Sequence, residues 1–268
     1  MITFPNAKIN IGLKVLSKRN DGFHNIETIF YPINLKEIIE FVPSKTNEFA
    51  ISGLEIKADE NNNLIIKAYN LLKENYKLPN LKIHLHKIIP TEAGLGGGSA
   101  DATFMLIALN EYFTLNITEA ELLQYAEKLG SDCPVFVRNK PFCATEKGEV
   151  LEEIELSLKG YYIVVIKPDI QIATADAYKN VKFSKSNVLL KDAIKEPIDN
   201  WKNSVFNDFE EYAFSIYPEL KEIKAYLYNI GAEFALITGS GSAIYGIFKE
   251  KPQINKYKDC FVWIAELG

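Results

Sequence analysis

Between residues 7 and 16 the chain alternates: Ile9, Ile11, Leu13 and Val15 fall on one side, Lys8, Asn10, Gly12 and Lys14 on the other. A period of two is that of a half-buried strand. Asn20-Asp21-Gly22 then supplies a turn, which predicts a partner strand around residues 25–33. A third strand is expected over Glu37 to Val42, and alternation returns from Leu81 to Ile88. Between them, apolar residues at 64, 65, 68, 71 and 72 recur at the spacing of an amphipathic helix over Asn63 to Asn75.

Further along, Thr118-Glu119-Ala120-Glu121 reads as a capping box opening a helix that Gly130 closes. Ser131-Asp132-Cys133-Pro134 leads into Val135-Phe136-Val137, predicted as an apolar strand, and Glu149 to Leu158 reads as a polar connection. Tyr161 to Ile166 is wholly apolar and ends at Lys167-Pro168, the pattern of a central strand. Helices are expected at 174–180, 201–215 and 218–230, the last with Pro218 at its start and Gly231 past its end. Two strands flank Thr238-Gly239-Ser240-Gly241-Ser242, and the last element covers Cys260 to Ala265. Strands and helices mix without a regular βαβ period, so the fold class is α+β. The chain shows no internal repeat and no low-complexity tract.

Composition narrows the function classes. At 268 residues the chain suits one large domain or two intimate ones, and its 47% apolar content is that of a globular protein. A net charge of −5 argues against a basic surface for nucleic acid, so an anionic ligand needs local positive charge. Cys133, Cys143 and Cys260 are odd in number and contain no C-x-x-C pair, so they read as reduced thiols. Met1-Ile2-Thr3-Phe4-Pro5 has no basic leader followed by a long apolar run, and no apolar run reaches membrane-spanning length. The expectation is a soluble cytoplasmic protein with no nucleic-acid or membrane partner, a monomer or weak homodimer.

Candidate chemistry concentrates in Pro90-Thr91-Glu92-Ala93-Gly94-Leu95-Gly96-Gly97-Gly98-Ser99-Ala100-Asp101, where four glycines fall within five positions. Glycine lets backbone amides converge on an anion without a Cβ in the way, and a helix starting there adds unpaired N–H groups and a positive dipole end. The standard P-loop requires a Lys after the last glycine, and none follows. The dinucleotide fingerprint would need glycine at position 99, which is Ser99. H-R-D and D-F-G sequences are absent too, which leaves a protein-kinase reading without support. The alternative is a turn serving packing alone, although four clustered glycines exceed what a bare turn needs.

Outside the run, Lys8 and Asn10 share the polar side of the first strand, whose simplest reading is a solvated edge. Asp132 follows a helix end and precedes a proline, which fits either an Asx-type turn or a general base. A carboxylate beside a lysine ammonium in a partly buried cleft suits activation of a hydroxyl for attack on phosphorus. Ser99 offers a hydroxyl to a metal or phosphate oxygen, or simply caps the helix. Gly239-Ser240-Gly241-Ser242 fits a hairpin turn, or a segment closing with the first glycine loop over a phosphoryl group. His84 and His86 lie on a strand's polar side without a third ligand and read as surface residues. Phe23 and Tyr178 are aromatics in or near loops, a pattern that fits core packing as well as ligand contact.

Taken together, these blocks resemble the GHMP kinase superfamily. Pro5-Asn6-Ala7-Lys8-Ile9-Asn10, Asp21-Gly22-Phe23-His24, the glycine run, Leu129-Gly130-Ser131-Asp132-Cys133-Pro134-Val135-Phe136 and Leu236-Ile237-Thr238-Gly239-Ser240-Gly241-Ser242 carry the match in order, over nearly the whole chain. The combination is similar to the branch that phosphorylates a hydroxyl of a cytidine-diphosphate-linked methylerythritol in the non-mevalonate route to isoprenoids. The resemblance implies a two-lobed α+β kinase fold with the active site in the cleft between lobes. It implies an N-terminal ATP-binding domain over 1–154 and a C-terminal domain over 155–268. ATP and Mg²⁺ are the implied cofactors, with no metal ligand assigned. Asp132 would be the general base, and Lys8 would support it electrostatically and stabilise charge near the transferred phosphoryl group. Pro90, Ala93, Gly94, Leu95, Gly96, Gly97, Gly98, Ser99 and Ala100 would surround the ATP phosphates, with Asn63 and Leu64 on the adenine side. His24 would hydrogen-bond the cytosine, stacked between Phe23 and Tyr178. Asn10, Phe30, Thr174, Gly239 and Ser240 would complete the acceptor side.

Three departures from the family pattern stand out: Phe23 in place of a usual Tyr, Ala100 where a second Ser is common, and Glu92 just before the glycines. None touches Lys8 or Asp132. The competing expectations are another small-molecule kinase of the superfamily, acting on homoserine, a sugar or mevalonate, or a nucleotide-binding module without catalysis.

Overall fold

The computed structural model describes residues 1–55 and 62–268. In chain order the strands are β1 (Ile2–Thr3), β2 (Asn6–Lys18), β3 (His24–Lys36), β4 (Ile38–Ser44), β5 (Glu48–Gly53), β6 (Asn80–Lys87), β7 (Phe142–Thr145), β8 (Val150–Glu153), β9 (Tyr162–Lys167), β10 (Phe234–Ile237), β11 (Ile244–Phe248) and β12 (Phe261–Glu266). The helices are α1 (Leu64–Lys73), α2 (Gly97–Phe113), α3 (Glu119–Leu129), α4 (Val135–Arg138), α5 (Thr174–Asn180), α6 (Leu190–Ala193), α7 (Phe209–Ile216) and α8 (Pro218–Asn229). This is the expected α+β class.

Two compact units emerge, each assembled from discontinuous segments. The first comprises Met1–Ala7, Leu35–Thr91 and Gly96–Lys140, and the second Lys8–Asn34, Glu92–Leu95 and Pro141–Gly268. The chain passes between units within β2, β3 and the glycine run.

The first unit carries a sheet in the order β1-β4-β6-β5, with β4 antiparallel to both neighbours and β5 parallel to β6. Its core joins Phe41, Ile83 and Leu85 of the sheet to Tyr69 and Leu72 of α1 and to Met105, Leu106 and Leu109 of α2. Asn63 caps α1 by accepting from the Ile65 N–H at 2.9 Å, and the Thr118–Glu121 capping box is formed as expected.

The second unit holds the sheets β2-β3-β7-β8 and β10-β11-β9-β12. In the latter, β9 lies between β11 and β12, antiparallel to both, which explains its unbroken apolar run. Phe209 of α7 and Leu220, Ile223 and Leu227 of α8 cover it, together with Leu13 and Val15 of β2.

The structure corrects four details of the sequence reading. β2 is buried on both sides from Asn6 to Val15, so Lys8 and Asn10 do not form a solvated edge. Val135–Arg138 is one helical turn and not a strand: Pro134 already holds φ −57, and Asn139 ends the turn at φ +53. Val150–Glu153, inside the expected polar connection, pairs with β7 as an edge strand, where exposed charges are tolerated. The helix expected over 201–215 is instead a 3-10 helix at Ile198–Asn203 followed by α7. Asn207 lies between them, where its side-chain N–H groups donate to the Ile237 and Gly239 carbonyls and its Oδ1 accepts from the Phe209 N–H.

Candidate active site

In the second unit, β2 delivers Lys8 and Asn10 into a buried polar network. The Lys8 ammonium donates to Asn10 Oδ1 at 2.6 Å and to the Gly94 carbonyl at 3.0 Å, and it lies 5.1 Å above the Phe30 ring. Asn10 donates from its amide to Thr28 Oγ1 at 2.9 Å and from its backbone to Thr238 Oγ1 at 3.0 Å. Tyr245 donates to the Asn10 carbonyl at 3.0 Å. Lys8 and Asn10 are only 2% and 1% exposed, so the bond between them is made in a desolvated setting. Phe30, expected on the acceptor side, lies beneath the lysine as part of the wall.

The two glycine segments meet back to back. Gly94 sits at φ +74, and a Cβ on it would lie 2.0 Å from the Thr238 carbonyl oxygen. Thr238 Oγ1 also donates to the Gly94 carbonyl, and the Ala243 N–H donates to the Ala93 carbonyl. The segment Gly239–Ser242 is therefore both the hairpin turn between β10 and β11 and a wall of the glycine run. Ser240 Oγ pairs with Thr174 Oγ1 at 3.1 Å, joining the start of α5 to this turn. Glu92 takes φ +51 and is exposed, and its charge helps to raise the pKa of Lys167, whose net shift is downward because burial outweighs it.

Among the residues expected on the acceptor side, His24 stacks on Tyr178 with ring centroids 4.9 Å apart, and Tyr178 meets Phe209 edge-on. Burial, with a smaller contribution from Lys18, lowers the His24 pKa, so the ring holds a proton less readily than a free imidazole. Phe23 is 58% exposed, with the Lys147 ammonium 5.2 Å over its face.

In the first unit, Gly96 adopts φ +72 and α2 begins at Gly97, so Gly96 occupies the cap position considered for Ser99. The first intrahelical bond runs from the Ala100 N–H to the Gly96 carbonyl, which leaves the Gly97, Gly98 and Ser99 amides ahead of it. A Cβ on Gly98 would meet only Leu64 Cδ1, at 3.6 Å, which places the expected adenine-side residue beside the expected phosphate cradle. Pro90, expected there too, is partly buried at the end of the segment after β6. Asp132 is half-buried between α3 and α4. Its neighbour Cys133 accepts from Thr103 Oγ1 through its carbonyl at 2.9 Å, and its thiol is buried. Burial pushes that thiol up to about 11, so it is a packing group that ties the Asp132 turn to the first turns of α2.

One buried cluster was not anticipated: Lys87 Nζ lies 2.7 Å from Glu37 Oε1 and 3.1 Å from Asp101 Oδ2, all inside the first unit. The signal was legible in the alternation itself, because Lys87 continues the core-facing series Leu81, Ile83, Leu85 of β6. A lysine at such a position needs a buried carboxylate partner. His84 and His86, on the opposite face, both lie 2.9 Å from Ser52 Oγ. Among the described residues no helix is long and apolar enough to cross a membrane, and no group of three or more His, Cys, Asp and Glu is placed to hold a metal.

Comparison with known proteins bears on these features. Residues 63–140 match the GHMP kinases N terminal domain, and residues 187–261 match the GHMP kinases C terminal domain. The chain is 46% identical to the 4-diphosphocytidyl-2-C-methyl-D-erythritol kinase of Bacteroides fragilis over the full length of both. It is 50% identical to the enzyme of the same name from Azobacteroides pseudotrichonymphae, over 93% of this chain and 94% of that one. A crystal structure of 4-(cytidine 5'-diphospho)-2C-methyl-D-erythritol kinase superposes with a TM-score of 0.78 at 29% identity, covering 92% of this chain and 90% of that one. The chain therefore belongs to the GHMP kinases and, within them, to the family of the 4-diphosphocytidyl-2-C-methyl-D-erythritol kinases.

Proposed function

We propose that the protein transfers the γ-phosphoryl group of ATP to the 2-hydroxyl of 4-diphosphocytidyl-2-C-methyl-D-erythritol, a step in making isoprenoid precursors without mevalonate. The observation that carries this reading is the full-length identity to kinases of that name. In this reading Asp132 accepts the hydroxyl proton, the oxygen attacks the γ-phosphorus, and ADP leaves with the electron pair of the broken P–O bond. Lys8 opposes the negative charge that builds up during transfer.

The glycine run receives the ATP phosphates through the amides of Gly97, Gly98 and Ser99, helped by the positive end of α2, with Asn63 and Leu64 toward adenine. An absent Cβ at Gly98 beside Leu64 supports this fit. Mg²⁺, when bound to the nucleotide, neutralises phosphate charge. His24 reads the cytosine, with Tyr178 and Phe23 as stacking surfaces, and Asn10, Thr174, Gly239 and Ser240 contact the rest of the acceptor. The pinned His24–Tyr178 pair supports that reading, since a ring held at 4.9 Å loses little further freedom on binding a base. The protein acts in the cytoplasm as a monomer or weak homodimer.

The test is ADP release across a panel of alcohols. Turnover should require the cytidine-linked acceptor. Comparable kcat/KM for homoserine, mevalonate or methylerythritol phosphate would overturn the acceptor assignment while leaving the kinase assignment in place.

A further inference from the structure

Glu37, Lys87 and Asp101 bring two carboxylates and one ammonium into a site where all three side chains are at most 4% exposed. Such a set carries one negative charge too many for a dry interior. Its hydrogen bonding is also incomplete: Glu37 Oε1 accepts from the Ile89 N–H at 3.0 Å, but Glu37 Oε2 and Asp101 Oδ1 are buried with no donor. The two carboxyl groups converge on the same ammonium, Glu37 at 2.7 Å and Asp101 at 3.1 Å. A carboxyl proton between them removes the excess charge and satisfies both oxygens at once.

The cluster lies beneath the start of α2. A Cβ on Gly97 would come within 3.2 Å of Lys87 Nζ, and Asp101 follows one turn later on the same helix. Glu37 is fixed by its own backbone N–H, which donates to the Pro5 carbonyl, and the Lys87 carbonyl accepts from the Leu54 N–H. Each member is thus anchored to a different element, and the triad sets where the first turn of α2 stands.

We propose that one proton held between Glu37 and Asp101 completes a positioning device for the first turn of α2, and that its loss weakens ATP binding. The proposal rests on α2 receiving the nucleotide phosphates. Losing the proton adds a buried negative charge at the helix start, where an anion is to bind, and leaves two facing carboxylates that repel. The charged groups facing Glu37 are Lys87 from β6 and Asp101 from α2. Burial, then the Asp101 charge, push Glu37 up to about 8 against the opposing pull of Lys87. Burial opposes the charge on Lys87, but its contacts with Asp101 and Glu37 outweigh it and raise its pKa.

Calorimetric titration of ATP without acceptor, between about pH 7 and about pH 9.5, tests the device. The wild-type dissociation constant should rise roughly fivefold across that range. Glu37→Gln places an amide N–H where the proton was and should hold a single affinity throughout. Infrared difference spectra of the wild type should show the C=O stretch of a protonated carboxyl at neutral pH, lost in Glu37→Gln. A flat wild-type profile, the same rise in Glu37→Gln, or no protonated-carboxyl band would each overturn the proposal. ATP that fails to bind at any pH would instead refute the nucleotide reading, and the infrared band would still decide whether the proton is there.

Discussion

Alanine at Gly98 and alanine at Gly94 should separate two uses of glycine within five residues of chain. Gly98 is exposed in the first turn of α2 at negative φ, and a Cβ there meets only Leu64 Cδ1 at 3.6 Å. Folding should tolerate the methyl, or gain up to about 1 kcal/mol from the improved helix propensity. If the amides of this turn hold phosphate, however, the methyl intrudes on the oxygens, and the ATP dissociation constant should rise at least about tenfold, the equivalent of 1.4 kcal/mol. Gly94 is the opposite case. Its φ of +74 penalises alanine by about 1–2 kcal/mol, and its Cβ would sit 2.0 Å from the Thr238 carbonyl oxygen, a distance only backbone movement can relieve. That movement strains the hydrogen bonds from Lys8 Nζ and Thr238 Oγ1 to the Gly94 carbonyl, at about 1 kcal/mol each. The combined loss is about 3–4 kcal/mol, so Gly94→Ala should melt several degrees lower. Thermal melts and ATP calorimetry on both variants form the assay. Unchanged ATP affinity in Gly98→Ala would refute the phosphate role of this turn, and a wild-type melting temperature in Gly94→Ala would refute the packing account.

Four further outcomes follow from the geometry. Asp132→Asn should lower kcat by at least about a hundredfold while ATP affinity stays within about twofold, measured by steady-state ADP release and calorimetry. Tyr178→Ala removes the ring stacked on His24, and should raise the acceptor KM in keeping with stacking worth about 1–3 kcal/mol. Asn207→Ala deletes two donors and one acceptor in a buried turn and should cost about 3 kcal/mol in chemical denaturation. Glu37 contributes stability that is complete below its ordinary value of 4.5 and is lost as pH rises through about 8, so Glu37→Gln should raise the melting temperature more at pH 8 than near pH 5.

Much of this architecture is legible in one dimension because local rules and tertiary packing agree. The 3.6-residue spacing of α1, the capping box of α3, the proline and glycine bracketing α8 and the apolar run of β9 all survive into the structure. Disagreement arises where context overrides pattern. Val135-Phe136-Val137 is β-branched and aromatic, yet Pro134 and Asn139 bracket it so closely that only one helical turn fits. Residues 150–153 look like a polar connector, because an edge strand with one partner has little apolar surface to bury. Lys8 and Asn10 look like a solvated edge, because alternation reports polarity and not the long-range partners, here Gly94 and Thr238, that bury them. Of the site, the chemistry of single blocks is readable from composition and spacing. The pairing of Gly94 with Thr238, and of Lys87 with Glu37 and Asp101, is set by contacts distant in sequence and has no local signature beyond a charge on an apolar face.

The bonds that gather Lys8, Gly94 and Thr238 also make one local environment depend on segments far apart in the chain. Lys8 and the Thr238 groups that frame its neighbours are 230 positions apart in the sequence. A chain interrupted before β10 lacks Thr238, Tyr245 and the floor beneath Gly94, so the network on the polar side of β2 cannot close without β10 and β11. Loss of β10 and β11, far from Lys8 in sequence, thus opens the network around Asn10 and Gly94 as surely as mutation of the residues beside them.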